Sequence, residues 1–376
     1  MINRLISKNI AADFASGKVI VVIGTRQVGK TTLVNHLAKG YKRVFTLNCD
    51  NYDDRAVMEN RTSSELQHLL NGYDLVFIDE AQRVAGIGLT IKMIADLHLP
   101  THVVVSGSSS LELADGIKEA ATGRHIDYEL FALSTAEMVS ASSQRDERRL
   151  LSQRLIYGLY PEVVTSPANA RRTLMSLADD YLYKDLLSYR GVKRPELLRK
   201  LLQALALQLG SAVSYNELAQ LIGADKSTVE SYIGLLEKCY VVFRLDSFSR
   251  NLRNEIKTGK KVYFYDNGIR NAILSNFAPA EQRADMGALW ENFLVSERRK
   301  FHSYNQTFTR MYFWRTHAQS EIDLVEECDG RLTAFEFKYN PKRAAKLPAP
   351  FAAAYPGAQF SVITPDNYMP FVGCPS

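Results

Sequence analysis

The sequence predicts an α/β protein whose first part forms a parallel β-sheet covered by helices. Residues 1–145 alternate short apolar runs with segments of helical period, the order typical of strand–helix–strand units. The runs at 19–23 and 75–78 are apolar throughout, as expected for strands buried on both faces of a parallel sheet. The chain then turns helical and returns to alternating strands beyond residue 261, so we expect a second α/β domain there.

A glycine-rich loop follows the first predicted strand. Residues 24–31, GTRQVGKT, fit the phosphate-binding pattern G-x-x-x-x-G-K-[ST] without mismatch, and residues 32–39 continue at helical spacing. Glycines let successive backbone N–H groups turn towards an anion, and the helix N-terminus adds partial positive charge. We expect Lys30 to hold the β- and γ-phosphates of ATP and Thr31 to bind Mg²⁺. The predicted nucleotide-binding residues are Gly24, Thr25, Arg26, Gln27, Val28, Gly29, Lys30, Thr31 and Thr32.

Two carboxylates end a second buried strand. Asp79 and Glu80 follow the apolar residues 75–78. We expect this strand to be the neighbour of the loop strand, so that Asp79 shares the magnesium ion with Thr31. Glu80 is then placed to orient the water that attacks the γ-phosphate. An apolar run capped by acids is common, and the specificity of this one comes from its pairing with the loop.

Two later features extend the predicted catalytic set. Residues 101–110 form a strand ending in hydroxyls, where Ser106 is the first candidate for sensing the γ-phosphate and Ser108 the second. A serine-rich turn explains either serine equally well. Arg124 precedes an expected edge strand at 126–130. It could stabilise the charge on the γ-phosphate during its transfer, in its own subunit or in a neighbour within a homo-oligomer. A surface role for this arginine is the simpler alternative.

Composition bounds the class of protein. The 376 residues exceed one ordinary domain, so we expect two or three. No apolar run approaches the ~20 residues of a membrane span, and the first residues lack a signal-peptide core. We therefore expect a cytoplasmic protein without membrane association. Its four cysteines show no metal-binding spacing and are interpreted as reduced bystanders.

Residues 146–195 are predicted to form a helical connector. The surrounding stretch 145–200 contains twelve basic and seven acidic residues, which is compatible with DNA or RNA as a partner and equally with a solvated helical face. Tyr181, Tyr183 and Tyr189 lie among these charges. They could stack on bases, although helix packing is the simpler explanation.

Residues 196–260 have the spacing of a winged helix. Three helical segments precede a strand at 241–245, with Gly223 ending the middle helix and Ser227 predicted to cap the next. Many such modules only hold proteins together, and Glu230 and Glu237 on the last helix oppose DNA reading. If the segment reads DNA, the residues facing the groove are Lys226, Ser227, Thr228 and Ser231.

The segment 261–376 contains a second set of acidic residues. Glu291 lies on a predicted helix, Asp323 on an alternating strand, and Glu336 with Lys338 on one face of a further strand. The three carboxylates could bind a second Mg²⁺ or Mn²⁺ while Lys338 polarises a water, an arrangement suited to phosphodiester cleavage. The alternative is a surface strand with a salt bridge.

The whole chain resembles bacterial and archaeal AAA-type ATPases that join an N-terminal P-loop domain to a C-terminal domain of unknown function called DUF4143. The resemblance implies an additional-strand P-loop ATPase domain at 1–145, a winged-helix segment at 196–260 and a fold similar to PD-(D/E)xK nucleases at 261–376. It also favours a role for Arg124 in hydrolysis. It is carried by residues 24–31, 75–80, 103–110, 123–124, 158–162, 263–271 and 290–292.

Three functions remain open at this point. The first is an ATPase that binds ATP, hydrolyses it with Mg²⁺ and couples its nucleotide state to its C-terminal domains, acting on nucleic acid. The second is a nucleotide-dependent signalling or scaffold switch whose nuclease-like domain is catalytically silent. The third is an ATP-gated, metal-dependent nuclease.

Overall fold

The computed structural model describes residues 2–107, 121–179, 192, 194–249, 259–316 and 318–375. Ser108, Tyr181, Tyr183 and Tyr189 lie outside these residues. The chain divides into two compact units, one made of residues 1–131 with 238–240 and the other of residues 132–237 with 241–376. The predicted α/β class is confirmed, and the predicted division into four segments stays a prediction. None of the helices in the described ranges combines the length and apolarity of a membrane span.

The first unit contains a five-stranded parallel sheet. The spatial order is β2-β3-β4-β1-β5, so the predicted parallel sheet and the edge position of β5 are confirmed. Because β4 lies between β1 and β3, the expectation that the acid-bearing strand is the immediate neighbour of the loop strand is wrong. This insertion is the order expected of the additional-strand type. The strands are β1 (Val19–Ile23), β2 (Val44–Asn48), β3 (Leu75–Asp79), β4 (His102–Gly107) and β5 (His125–Glu129).

Capping side chains and a glycine with positive φ set the boundaries of helices in the first unit. A reciprocal capping box between Thr62 and Glu65 starts the fourth of them. Residues 81–97 form a 3-10 turn at Ala81–Arg83 and then a separate helix, because Gly86 between them has a left-handed φ of 71°. The described helices of this unit are α1 (Ser7–Asp13), α2 (Lys30–Ala38), α3 (Tyr52–Met58), α4 (Ser63–Leu70) and α5 (Ile87–Asp96).

The helices of the second unit cover the predicted connector, the winged-helix segment and part of the C-terminal domain. Of the predicted helical connector, residues 180–191 and 193 lie outside the described residues. The described helices are α6 (Thr135–Ala141), α7 (Gln144–Arg149), α8 (Leu151–Tyr157), α9 (Pro161–Thr165), α10 (Ala170–Leu177), α11 (Pro195–Leu207), α12 (Tyr215–Ile222), α13 (Lys226–Lys238), α14 (Asn267–Ile273), α15 (Met286–Tyr304), α16 (Ala349–Ala354) and α17 (Tyr368–Phe371).

The second unit contains a seven-stranded mixed sheet in the order β12-β11-β10-β9-β7-β8-β6. Strands β7 and β8 form an antiparallel pair after the three helices α11 to α13, and β7 also pairs in parallel with β9. Strands from the predicted winged-helix segment and from the predicted C-terminal domain therefore belong to one sheet. The strands are β6 (Ala212–Val213), β7 (Val242–Ser247), β8 (Lys260–Phe264), β9 (Arg310–Arg315), β10 (Glu321–Cys328), β11 (Arg331–Phe337) and β12 (Gln359–Ile363).

One of the sequence features that carried the resemblance is explained by packing. Asp266 caps α14 by accepting from the N–H groups of Gly268 and Ile269, and it also accepts from the N–H of Leu159 at 2.8 Å. A Cβ at Gly158 would lie 2.0 Å from the Asp266 carboxylate, and Gly158 has a φ of 69°. Only glycine satisfies both conditions. The segments 158–162 and 263–271 thus join two parts of the second unit.

Candidate functional site

The loop between β1 and α2 has the backbone shape of an anion-binding loop. Gln27 and Gly29 have positive φ angles of 61° and 95°, and Val28 between them does not. Such alternation makes backbone N–H groups converge on one concave side. A Cβ at Gly24 would lie 2.1 Å from the carbonyl oxygen of Leu130, which explains the first glycine of the pattern.

Lys30, the first residue of α2, turns its amine back into this loop. Its Nζ donates to the carbonyl oxygens of Gly24 and Thr25, each at 2.9 Å, and the residue is buried. A buried ammonium needs such acceptors, because burial without partners is costly. The amine is thereby held inside the predicted phosphate loop.

Asp79 at the end of β3 lies beside the loop despite the intervening strand. The hydroxyl of Thr31 donates to Asp79 Oδ2 at 2.7 Å, and Ser106 on β4 donates to the other carboxylate oxygen, Oδ1. Three segments therefore converge on one buried carboxylate. Hydroxyl and carboxylate oxygens are the ligands that Mg²⁺ prefers, and Mg²⁺ is usually held by one or two such groups together with phosphates. The side chains present thus fit the magnesium ion of a bound nucleotide.

Glu80 and Ser106 lie at the same edge of the sheet. Glu80 has a left-handed φ of 51°, donates its N–H to Asp79 Oδ1 at 3.1 Å and accepts from Gln82 Nε2 at 2.5 Å. The structure thus brings both predicted residues to the site. The sensing role of Ser106 and the water-orienting role of Glu80 remain predictions.

Arg124 lies where the strands of the sheet begin, at the end opposite to the phosphate loop. Its carbonyl accepts from the N–H of Val19, the first residue of β1, whereas the loop follows the last residue of that strand. Five residues of strand at ~3.3 Å each place these two edges roughly 16 Å apart. The guanidinium pairs with Asp96 at 2.6 Å. The structure therefore places the Arg124 guanidinium on Asp96 and not in the loop, and its role in hydrolysis, in its own subunit or in a neighbour, stays a prediction.

Sequence reasoning missed Arg4, which supports the loop. Its Nη1 donates to the carbonyl of Val28 and its Nη2 to the carbonyl of Phe131, both at 2.7 Å, and the residue is buried. Arg4 therefore connects the loop to the segment after β5. No sequence signal identifies it, because both acceptors are backbone atoms.

The predicted cap of α13, Ser227, is wrong. Asp225, and not Ser227, caps the helix by accepting from the N–H of Thr228 at 2.8 Å, while Gly223 ends α12 with a φ of 72° as predicted. The hydroxyls of Ser227 and Thr228 also donate to Asp225. These hydrogen bonds hold the pKa of Asp225 well below its usual range. The predicted DNA-facing surface thus has a carboxylate beside its first residue, and two of its hydroxyls, those of Ser227 and Thr228, donate to it.

Two of the predicted C-terminal acids, Asp323 and Glu336, lie on neighbouring strands. Strands β10 and β11 pair Leu324 with Phe335, so Asp323 and Glu336 are the next facing positions. Lys338 contacts Glu336 at 2.5 Å, and Asp323 Oδ2 accepts from the N–H of Phe337 at 2.7 Å. The structure thus brings together Asp323, Glu336 and Lys338 as the sequence predicted.

Glu291 on α15 has a partner that the sequence interpretation missed. The amine of Lys261 contacts Glu291 Oε1 at 2.9 Å and Glu321 Oε1 at 2.5 Å, and the Tyr263 hydroxyl donates to Glu291 Oε1 at 2.7 Å. Burial raises the pKa of Glu291 to about 7, although Lys261 opposes the shift. Burial and the nearby Glu336 raise the pKa of Asp323 to about 6. The period-two pattern of β8 was the available signal, since it places Lys261 on one face with buried Tyr263.

The residues of this acidic cluster do not fit the predicted second metal ion. Within the described ranges, no three His, Cys, Asp or Glu side chains form a group that could hold a metal ion. An ammonium group lies where Glu291 and Glu321 approach each other. The expectation of a second Mg²⁺ or Mn²⁺ is therefore unsupported.

Family models match three successive parts of the chain. Residues 16–139 match an AAA domain, residues 148–280 a domain of unknown function (DUF8612) and residues 286–373 a domain of unknown function (DUF4143). The AAA and DUF4143 domains that the resemblance implied are thus present. The AAA domain, together with the loop geometry, supports nucleotide binding and hydrolysis.

Several known proteins are similar to this chain. An uncharacterized protein of Mycobacterium tuberculosis is 27% identical over 326 residues, covering 85% of this chain and 70% of the relative. An uncharacterized protein of Haemophilus influenzae is 22% identical over 271 residues, covering 66% and 68%. Among solved structures, a Walker-type ATPase of Pyrococcus abyssi is 13% identical with a TM-score of 0.49, covering 73% of this chain and 96% of that chain.

Proposed function

We propose that this chain binds ATP with Mg²⁺ in the loop of residues 24–31, hydrolyses it, and uses the nucleotide state to reposition the segments that follow β5. The observation that carries the proposal is the 2.7 Å hydrogen bond between Thr31 Oγ1 and Asp79 Oδ2. It brings the two oxygens expected to share the magnesium ion together from opposite sides of an intervening strand. The variants Glu80→Gln and Lys30→Ala test it, because the first should stop hydrolysis and the second should weaken nucleotide binding.

Each residue of the site has one task in this proposal. The backbone N–H groups of the loop and the amine of Lys30 bind and orient the phosphates. Thr31 and Asp79 hold the magnesium ion, and Ser106 fixes the Asp79 carboxylate from the other side. Bound Mg²⁺ supplies neutralisation of the charge that develops on the phosphate oxygens. Glu80 orients the attacking water and accepts its proton.

A chain of contacts inside the first unit supports coupling to the rest of the protein. Arg4 bridges the carbonyls of Val28 in the loop and Phe131 after β5. The ring of Phe131 lies 6.3 Å from that of Tyr240, and the Tyr240 hydroxyl donates to Glu129 at 3.1 Å. Tyr240 lies two residues after the last residue of α13. A change in the loop therefore has a short physical route to the end of that helix.

The coupling route predicts a nucleotide effect on α13. Adding Mg-ATP should slow amide hydrogen exchange of residues 226–240 by roughly 5- to 100-fold, the range of ordinary coupling energies. Tyr240→Phe removes the hydroxyl that binds Glu129, so the slowing should shrink while ATP affinity stays unchanged. Tyr52→Phe is the matched control, because Tyr52 is exposed in the same unit. No effect of Mg-ATP on these amides in the wild-type protein would contradict the route.

Nucleic acid is the second candidate, as the partner on which the movement acts. The basic surplus of residues 145–200 and the order of three helices followed by the β7–β8 pair favour it, and Asp225 at the start of α13 opposes it. If DNA or RNA is the partner, it should raise the ATPase rate about tenfold or more, and the stimulation should fall steeply between 50 and 200 mM salt, as counterion release requires. Equal rates with DNA, with RNA and with neither would contradict this candidate and favour the signalling or scaffold switch.

A further inference from the structure

Lys261 is a fully buried cation within a cluster of acids. It lies on β8 with 1% of its surface exposed, and its amine contacts Glu291 and Glu321 from two other elements at 2.9 and 2.5 Å. Lysine is almost never buried to this degree unless it is paired. The two carboxylates, on α15 and β10, are far apart in sequence, and the ammonium is what they have in common.

The other acids of the cluster also have hydrogen-bond donors. Tyr263 donates to Glu291, and the N–H of Phe337 donates to Asp323 at 2.7 Å. Glu336 is paired with Lys338 at 2.5 Å. A Mg²⁺ or Mn²⁺ ion instead requires oxygen lone pairs directed at one point at about 2.0–2.2 Å. Here at least one oxygen of each carboxylate faces an N–H or O–H donor instead.

The electrostatics of the cluster favour a charged lysine. Burial alone would lower the pKa of Lys261, but the carboxylates of Glu291, Asp323 and Glu321 outweigh it and raise that pKa above its usual value. Like charges repel strongly in a buried site of low dielectric constant, and a divalent ion doubles the repulsion that a unit charge would cause. A metal ion beside this ammonium would therefore be disfavoured.

We propose that the ammonium of Lys261 replaces a divalent cation among the carboxylates of Glu291, Glu321 and Asp323, so that this domain keeps its acidic cluster without a metal ion. The proposal disagrees with the metal that a resemblance to PD-(D/E)xK nucleases implies. It concerns only the second unit and is independent of the proposed ATPase activity. It also gives a physical reason why this domain would be silent as a metal-dependent nuclease.

No three described acids form a metal-binding group while the ammonium lies between them, and the proposal predicts that removing it lets them close on a divalent ion. Lys261→Met keeps most of the side-chain volume and removes the charge, leaving acids that a divalent ion can neutralise. Mn²⁺ binding to the full chain, measured without nucleotide by electron paramagnetic resonance of free Mn²⁺, should show one additional site, at least about tenfold tighter than any wild-type binding in the cluster. This site should disappear in the double variant Lys261→Met/Asp323→Asn. Mn²⁺ should raise the unfolding temperature of Lys261→Met but not of the wild type.

The controls separate this proposal from the ATPase proposal. Lys260 precedes Lys261 on β8, points to the other face of the sheet and pairs with Asp246 of β7. The variant Lys260→Met should therefore gain no Mn²⁺ site. The ATPase rate of Lys261→Met should equal that of the wild type, and a wild type without ATPase activity would count against the ATPase proposal only. Absence of a new Mn²⁺ site in folded Lys261→Met would overturn the inference.

The wild-type protein gives a test that does not depend on the folding of the Lys261 variant. Wild-type Mn²⁺ binding should be the same as that of Asp323→Asn. Wild-type Mn²⁺ binding that Asp323→Asn abolishes would overturn the inference, as would Mn²⁺-dependent cleavage of DNA or RNA that the same substitution removes.

Discussion

Glu80→Gln should reduce ATP turnover by about 10²- to 10⁴-fold, or about 3–5 kcal/mol of activation free energy, while the protein still binds Mg-ATP. Glutamine keeps the size and the hydrogen bonding of the side chain but cannot accept the proton of the attacking water. Phosphate binding depends on the loop and on Lys30, which the substitution leaves intact. Binding and chemistry should therefore separate in this variant.

The measurement is single-turnover hydrolysis beside equilibrium binding of a fluorescent ATP analogue. Glu281→Gln is the matched control, because it is the same chemical change at an exposed residue of the second unit. Wild-type turnover in Glu80→Gln would remove Glu80 from the catalytic role. Loss of binding would show instead that the Glu80 carboxylate, which accepts from Gln82 Nε2, supports the architecture of the site.

Lys30→Ala should lower the affinity for ATP by about 100-fold, or about 2.7 kcal/mol, because hydrogen bonds to charged groups contribute about 1.5–3 kcal/mol. Its buried amine lies on the carbonyls of Gly24 and Thr25, inside the loop that the phosphates are proposed to enter. Lys30 occupies the one position that the G-x-x-x-x-G-K-[ST] pattern specifies as charged.

Isothermal titration calorimetry measures this affinity directly. Lys39→Ala removes the same charge from an exposed residue just after the other end of α2 and should bind ATP as the wild type does. Circular dichroism without nucleotide establishes that Lys30→Ala is folded. Equal affinities in Lys30→Ala and Lys39→Ala would contradict the role assigned to Lys30.

The nucleotide site was predictable because its information is local. The loop, its strand and its helix are contiguous in sequence, and a buried strand ending in acids identifies Asp79 without knowledge of the strand order. The order itself was missed in part, since nothing local indicates that β4 inserts between β1 and β3. Ser106 was named as a phosphate sensor, and its contact with Asp79 follows only from that insertion.

Sequence reasoning misplaced one residue and missed two others, each for a different physical reason. Arg124 precedes its strand, and in a parallel sheet the start of a strand lies at the edge opposite the loop. Arg4 acts on backbone carbonyls, which leave no pattern of side chains. Lys261 was taken as the start of a domain, whereas its acidic partners are 30 and 60 positions further along the chain.

The most direct test of the central claim is a crystal structure of the protein with Mg²⁺ and a non-hydrolysable ATP analogue. We expect the phosphates to contact the backbone N–H groups of residues 26–31 and the magnesium ion to be bound by the Thr31 hydroxyl, with Asp79 beside it. Phosphates bound elsewhere, or a magnesium ion remote from both Thr31 and Asp79, would contradict it.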